Sequence, residues 1–180
     1  MAAFAPDADP SDLAYSLMMN SFITLFWRPA LLEETTEALR AQSYDIVHLD
    51  ALTWTTEQDL HQAFASALDF PAYYGHNLDA LHDCLGDVAA YAYGTTPQAT
   101  GLVLVITAYD TFTATNPAPA QTTLDIFAAQ ARAAALTGHR MMCLIQTNNP
   151  TLKFTPVGAT PIPWNPAESL TTSRHPPDHQ

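Results

Sequence analysis

Short apolar runs separated by stretches of helical periodicity dominate the hydrophobic pattern of the chain. Four runs rich in β-branched, aromatic or other apolar residues are predicted to be strands: residues 21–27, 45–49, 102–106 and 141–145. The third run is apolar throughout, which is typical of a central strand covered on both faces. Because strands and helices alternate, the pattern predicts an α/β fold with a mainly parallel sheet of about four strands flanked by helices.

The predicted helices lie between these strands. Residues 31–41 form an amphipathic helix that, with the strands before and after it, suggests a parallel βαβ unit. Thr55 with Gln58 three residues later has the pattern of a capping box, followed by apolar residues at helical spacing to about residue 68. Later in the chain, a short helical piece around residue 112 and a proline loop at 117–119 precede a long helix, predicted at residues 120–136.

Composition sets the expected limits of the folded domain. Residues 1–20 are predicted to be poorly ordered, residues 21–150 to form one α/β domain, and residues 151–180 to form a Pro-rich tail that is disordered toward its end. The first ten residues include acids and no Lys or Arg, unlike a secretory signal, and the longest apolar runs are too short to span a membrane. We therefore expect a cytoplasmic protein in which Cys84 and Cys143 are buried thiols.

The charge distribution favours a cationic partner. The formal net charge is -12, and residues 41–131 contain no Lys or Arg. Such a field repels nucleic acid and attracts basic molecules. Charge alone leaves open an acidic surface that only maintains solubility.

Residues 73–85 are the most informative segment, with the sequence Tyr-Tyr-Gly-His-Asn-Leu-Asp-Ala-Leu-His-Asp-Cys-Leu. The part that follows Gly75 is predicted to be a short helix, with Asp79 and Asp83 on its exposed face and three leucines on the opposite, apolar face. Like charges four residues apart on a helix repel each other and lower its stability slightly. The pair therefore points to a cationic partner outside the chain.

The same segment resembles the hallmark of the barstar family, intracellular inhibitors of small secreted ribonucleases. The resemblance rests on the ungapped run Tyr-Tyr-Gly-x-Asn-Leu-Asp-Ala-Leu-x-Asp-Cys-Leu and extends over roughly residues 45–146. It implies a barstar-like α/β core. The N-terminal strand and helix and the C-terminal tail then lie outside the minimal family domain.

The resemblance also implies how the chain acts. The helix plugs the active site of a basic ribonuclease or nuclease toxin, as in an immunity protein, with Asp83 in place of a substrate phosphate and Asp79 as a second acid. A protein partner is then expected, and no nucleic acid, membrane, cofactor or metal. The further residues expected to contact the partner are Tyr73, Gly75, His76, Asn77, His82 and Asp87.

Three departures from the family pattern keep other functions open. His82 replaces an aromatic residue, His76 replaces an acid, and Ala129 stands where a further acid contacts the enzyme. The missing acid is compatible with a regulatory or interaction protein that has no nuclease target. His76, Asp79 and Asp83 lie at i, i+3 and i+7, which allows a divalent-metal or enzyme site on one helix face. No glycine-rich phosphate loop or nucleophile elbow accompanies them, so an enzyme is not expected.

Overall fold

A four-stranded parallel sheet forms the centre of the protein. A computed structural model describes residues 12–169, with the strands β1 (Ile23–Phe26), β2 (Asp45–Asp50), β3 (Leu102–Thr107) and β4 (Met141–Gln146). They lie in the order β1-β4-β3-β2, and each neighbouring pair is parallel. The predicted α/β fold is confirmed, and β2, β3 and β4 are neighbours as expected.

Helices cover both faces of this sheet. In chain order they are α1 (Leu13–Met18), α2 (Pro29–Ala41), a 3-10 turn (Ala51–Thr53), α3 (Glu57–Ala67), α4 (Leu78–Ala89), α5 (Tyr109–Thr115), α6 (Pro117–Leu136) and α7 (Pro166–Ser169). Alternate side chains of β3 enter different apolar layers. Leu104 and Ile106 pack with residues of α3 to α6, whereas Val103 and Val105 pack with residues of α1 and α2. Because both faces are covered, β3 is apolar along most of its length.

The strand order corrects the expectation that β1, α2 and β2 form a βαβ unit. β1 pairs with β4, with Ile23 opposite Cys143, whereas β2 pairs with β3, with Asp45 opposite Leu102. β1 and β2 therefore lie at opposite edges of the sheet. β3 and β4 have almost only buried side chains and take the centre, while β2 is partly open to solvent.

Three helices begin at other residues than predicted: α2 begins at Pro29 and not at residue 31, and α3 and α6 also differ. The capping box of α3 is made by Thr56 and Asp59, and not by Thr55 and Gln58. Asp59 Oδ2 accepts hydrogen bonds from the backbone N–H groups of Thr56 at 2.8 Å and Thr55 at 2.9 Å, which lower the pKa of Asp59 to about 2. α6 begins at Pro117, within the predicted loop, because a proline at the start of a helix gives up no hydrogen bond.

Both ends of the described chain pack near β1. α1 has buried residues although it lies within the first twenty residues, where little order was expected. Leu25 N–H donates to the carbonyl of Pro163, and Asn165 N–H donates to the carbonyl of Leu25, both at 2.8 Å. The C-terminal segment thus covers the open edge of β1. The domain limits stay a prediction. Disorder was predicted for residues 169–180, of which Ser169 ends α7 and residues 170–180 lie outside the described residues.

Both cysteines of the chain lie in the core. Cys84 and Cys143 are buried free thiols, as predicted. Burial raises the pKa of Cys143 above its ordinary value. Within residues 12–169, no helix is both long enough and apolar enough to cross a membrane.

Candidate functional site

The loop before α4 is anchored by one tyrosine and displays another. Tyr74 is buried, and its hydroxyl lies 2.6 Å from Nδ1 of His61 on α3, whose Nε2 lies 3.2 Å from Glu57. Burial raises the pKa of Tyr74 and lowers that of His61. The next residue toward the N-terminus, Tyr73, is 79% exposed. The anchored loop therefore presents a large aromatic ring to solvent.

Gly75, His76 and Asn77 form the turn into α4. Asn77 caps the helix: its Oδ1 accepts a hydrogen bond from Ala80 N–H at 2.8 Å, and its Nδ2 donates to the carbonyl of Gly75 at 3.2 Å. A Cβ on Gly75 would lie only 3.0 Å from Asn77 Nδ2, so a side chain there would disturb the cap. His76 is exposed and has a left-handed backbone, with φ of 50°. The turn thus fixes where α4 begins.

α4 has one buried face and one exposed face, as predicted. Leu78 is half-buried, and the fully buried residues are Leu81, Cys84, Leu85, Val88 and Ala89. Asp79, His82 and Asp83 are exposed, and the side chain of Asp83 is 85% accessible. Asp79 lies in the first turn, where the helix dipole favours a carboxylate. The helix therefore holds both acids on a surface whose opposite side is part of the core.

Among residues 12–169, the acids of α4 form no ion pair with a Lys or Arg side chain. Residues 41–131 contain no Lys or Arg. Asp83 Oδ1 lies 3.4 Å from Nδ1 of His82, and Asp87 accepts a hydrogen bond from the Tyr93 hydroxyl at 3.0 Å. A cationic group that binds here would relieve the repulsion among the carboxylates.

Helix α6 contributes a residue that the sequence did not reveal. Gln130 Nε2 lies 2.9 Å from Nε2 of His82 and donates to the carbonyl of His82 at 3.1 Å. Its neighbour Ala129 is exposed and uncharged, and Asp125, one turn earlier, is half-buried with Gln121 Nε2 3.4 Å from its carboxylate. No sequence signal marks Gln130, because it is a polar residue on a long helix, 48 positions away from His82.

The metal alternative gains no support from the geometry. Between residues 12 and 169, no three His, Cys, Asp or Glu side chains come together so that they could hold a metal ion. His76, Asp79 and Asp83 share the exposed side of the site without forming such a group.

Comparison with known protein families matches the central part of the chain. The family model described as Barstar (barnase inhibitor) matches residues 44–146, more than half of the 180 residues. No curated protein is similar enough to the chain to count as a match. The matched region starts directly before β2, includes α4 and ends with β4, while α1, β1, α2 and the C-terminal segment lie outside it. The chain belongs to the barstar family.

Proposed function

We propose that the chain inhibits a ribonuclease by placing the acidic face of α4 in the active site of the enzyme. Membership of the barstar family supports a ribonuclease as the class of partner. The observation that carries the proposal is the position of Asp83, whose carboxylate is 85% exposed on a helix with a buried opposite face. Such a carboxylate can be offered to a partner without any rearrangement of the core.

A carboxylate at this position can replace a substrate phosphate. A ribonuclease holds the phosphate of RNA with Arg, Lys and His side chains, and these groups form charge-assisted hydrogen bonds with a carboxylate as well. Since residues 41–131 contain no Lys or Arg, Asp83 has no permanently charged base in this range to pair with, and its charge is available to the partner. Asp79, one turn earlier, strengthens the negative potential, and its effect on affinity is expected to be smaller.

The proposed contact surface surrounds these acids. Tyr73 supplies a large contact area with few rotatable bonds, which suits an anchor in an interface. Asp87 lies one turn beyond Asp83 and, as a rim charge, accelerates the approach of a basic partner. The remaining contacts are His76 and His82 beside the acids, and the turn formed by Gly75 and Asn77.

The proposed role is binding, so the chain catalyses no reaction and requires no cofactor or metal. It acts in the cytoplasm as an immunity protein, against either the cell's own secreted enzyme or the nuclease toxin of a competitor. The exposed Ala129 favours a second candidate, an interaction protein that keeps the fold without a nuclease target. The two roles differ in whether a ribonuclease is inhibited.

An inhibition assay separates the two roles. Hydrolysis of a fluorogenic RNA substrate by barnase is measured with increasing amounts of the full chain, at low and at moderate salt. We expect stoichiometric inhibition. The rate at which the chain and barnase associate should fall as the salt concentration rises. Glu34→Ala is the control, because it removes an exposed acid from α2, whose buried side packs in the other apolar layer. Undiminished hydrolysis at micromolar inhibitor would favour the interaction protein.

A further inference from the structure

Gln130 of α6 connects the backbone of α4 to the imidazole beside Asp83. We infer that Gln130 and His82 are positioning residues, which hold a hydrogen-bond donor against the Asp83 carboxylate and orient it for a cationic partner. The inference takes the class of partner from the proposed function. The contacts among the three side chains belong to this chain alone and can be tested without a partner.

The amide nitrogen of Gln130 faces two acceptors of one residue. It donates to the carbonyl oxygen of His82 at 3.1 Å and lies 2.9 Å from Nε2 of the imidazole. Gly86, one turn after His82, leaves room for this arrangement, because an added Cβ would lie 3.3 Å from Gln130 Oε1. The Gln130 side chain thus lies against α4 where the helix has no side chain of its own.

The carbonyl oxygen of His82 determines the direction of the amide. If Gln130 Oε1 took the place of Nε2, two acceptors would face each other with no hydrogen between them. The amide nitrogen must therefore face His82, and Nε2 of the imidazole must be an unprotonated acceptor. The proton of the neutral ring consequently lies on Nδ1, the nitrogen that is 3.4 Å from Asp83 Oδ1.

This proton gives the carboxylate a preferred orientation. Oδ1 of Asp83 is attracted to Nδ1–H of His82, which leaves the lone pairs of Oδ2 to the partner. A side chain that is 85% exposed would otherwise occupy several rotamers, and their loss on binding opposes association. The contact therefore holds the Asp83 carboxylate in one orientation before the partner binds.

Protonation of His82 would remove the contact with Gln130 that supports this orientation of the carboxylate. A proton on Nε2 would set two donors against each other at Gln130, and the positive ring would offset the charge of Asp83 and repel a cationic cleft. Arg132 on α6 is directed toward Gly158. The two helices that carry His82 and Gln130 contain four acids, namely Asp79, Asp83, Asp87 and Asp125. A cationic partner therefore prefers the neutral ring.

The tautomer of His82 tests the contact in the free protein. Long-range 1H–15N NMR of the labelled full chain near pH 8 reports which ring nitrogen carries the proton, and His82→Asn identifies the signals among the seven histidines. We expect the proton on Nδ1 in the parent and a mixture of tautomers in Gln130→Leu, which removes the amide but keeps the bulk. A proton on Nε2 in the parent, or an unchanged tautomer in Gln130→Leu, would overturn the inference.

Calorimetric binding to barnase, as the probe, tests the effect on Asp83. We expect Gln130→Leu to bind severalfold more weakly than the parent near pH 8, because the imidazole of the variant donates to Asp83 in only one of its two neutral tautomers. Gln42→Leu, an exposed glutamine at the end of α2, is the control and should bind like the parent. Equal affinity of Gln130→Leu and the parent would overturn the positioning role.

His82→Phe separates positioning from simple structural support. The phenyl ring keeps the bulk but has no nitrogen that could donate to Asp83, so Gln130→Leu should weaken binding in the parent and leave the affinity of His82→Phe unchanged. Equal losses in both backgrounds would contradict the inference. Absence of any binding by the parent would count against the proposed function, while the tautomer still decides the positioning contact.

Discussion

Substitution of Glu168 tests most sharply how the segments outside the matched family region are fixed to each other. Its side chain is completely buried, and its carboxylate accepts hydrogen bonds from the backbone N–H groups of Trp27 at 2.7 Å and Arg28 at 2.6 Å. Arg28 Nε lies 3.4 Å from the same carboxylate. Arg28 is the N-cap of α2 and makes no side-chain cap itself, so an acid 140 residues later fixes the backbone directly before the helix.

The magnitude follows from these contacts. Glu168→Ala leaves two N–H groups without an acceptor. Each one that stays out of water lowers the free energy of unfolding by about 1–3 kcal/mol. Loss of a negative charge at a helix N-terminus adds about 0.3–1 kcal/mol. Since Arg28 is exposed and water reaches its N–H group, one N–H group stays out of water and we expect a total loss of about 1.3–4 kcal/mol. Glu168→Gln keeps one acceptor and should lose less.

Urea unfolding and thermal melting of the full chain measure the loss. A loss of about 1.3–4 kcal/mol corresponds to a fall in Tm of roughly 3–16 °C for a chain of this size. Glu34→Ala, at an exposed position of α2, is the control and should change stability by less than about 0.5 kcal/mol. If Glu168→Ala loses less than about 1 kcal/mol, the carboxylate does not fix the backbone before α2 in the way described.

Three further predictions concern a helix glycine, a cap and the N-terminal unit. Gly86→Ala should raise the free energy of unfolding by up to about 1 kcal/mol, because alanine is the better helix former, and should also displace Gln130 from His82. Urea unfolding measures the first effect and the tautomer of the His82 ring measures the second; an unchanged tautomer would contradict the displacement of Gln130. The pKa of Asp59 is lowered to about 2, so its contribution to stability is complete above about pH 4 and is lost as the pH falls through about 2. The difference in the free energy of unfolding between the parent and Asp59→Ala should therefore shrink on acidification, and a constant difference would argue against the cap. Deletion of residues 1–41 removes β1 with its buried Ile23 and opens the edge of β4, so we expect insoluble or molten protein, and cooperative unfolding of the truncated chain would speak against it.

The strands and the acidic helix were accessible from the sequence. Continuous apolar runs predicted β3 and β4 to within one residue, since a strand buried on both faces excludes polar side chains. The exposed face of α4 followed from the spacing of Asp79 and Asp83 against the leucines. Both features depend on local periodicity, which a single sequence contains.

The features that were missed depend on contacts between distant parts of the chain. The strand order places β1 beside β4, which no local pattern shows. The capping box was assigned one residue too early because Thr55 and Thr56 are equivalent in sequence, and only the position of Asp59 distinguishes them. Glu168 and Gln130 act across 140 and 48 residues respectively, and each is an ordinary polar residue in its own segment.

Inhibition kinetics of Asp83→Ala test the central claim most directly. If Asp83 takes the place of a phosphate, its removal leaves the bases of the ribonuclease buried without a partner, at about 2–5 kcal/mol or more. The account predicts that Asp83→Ala inhibits barnase about 30-fold to several thousandfold less well, mostly through faster dissociation. Asp79→Ala should lose less, and the stability of both variants should barely change, because a repulsive pair is relieved. Inhibition by Asp83→Ala equal to that of the parent, measured at two salt concentrations, would contradict the account.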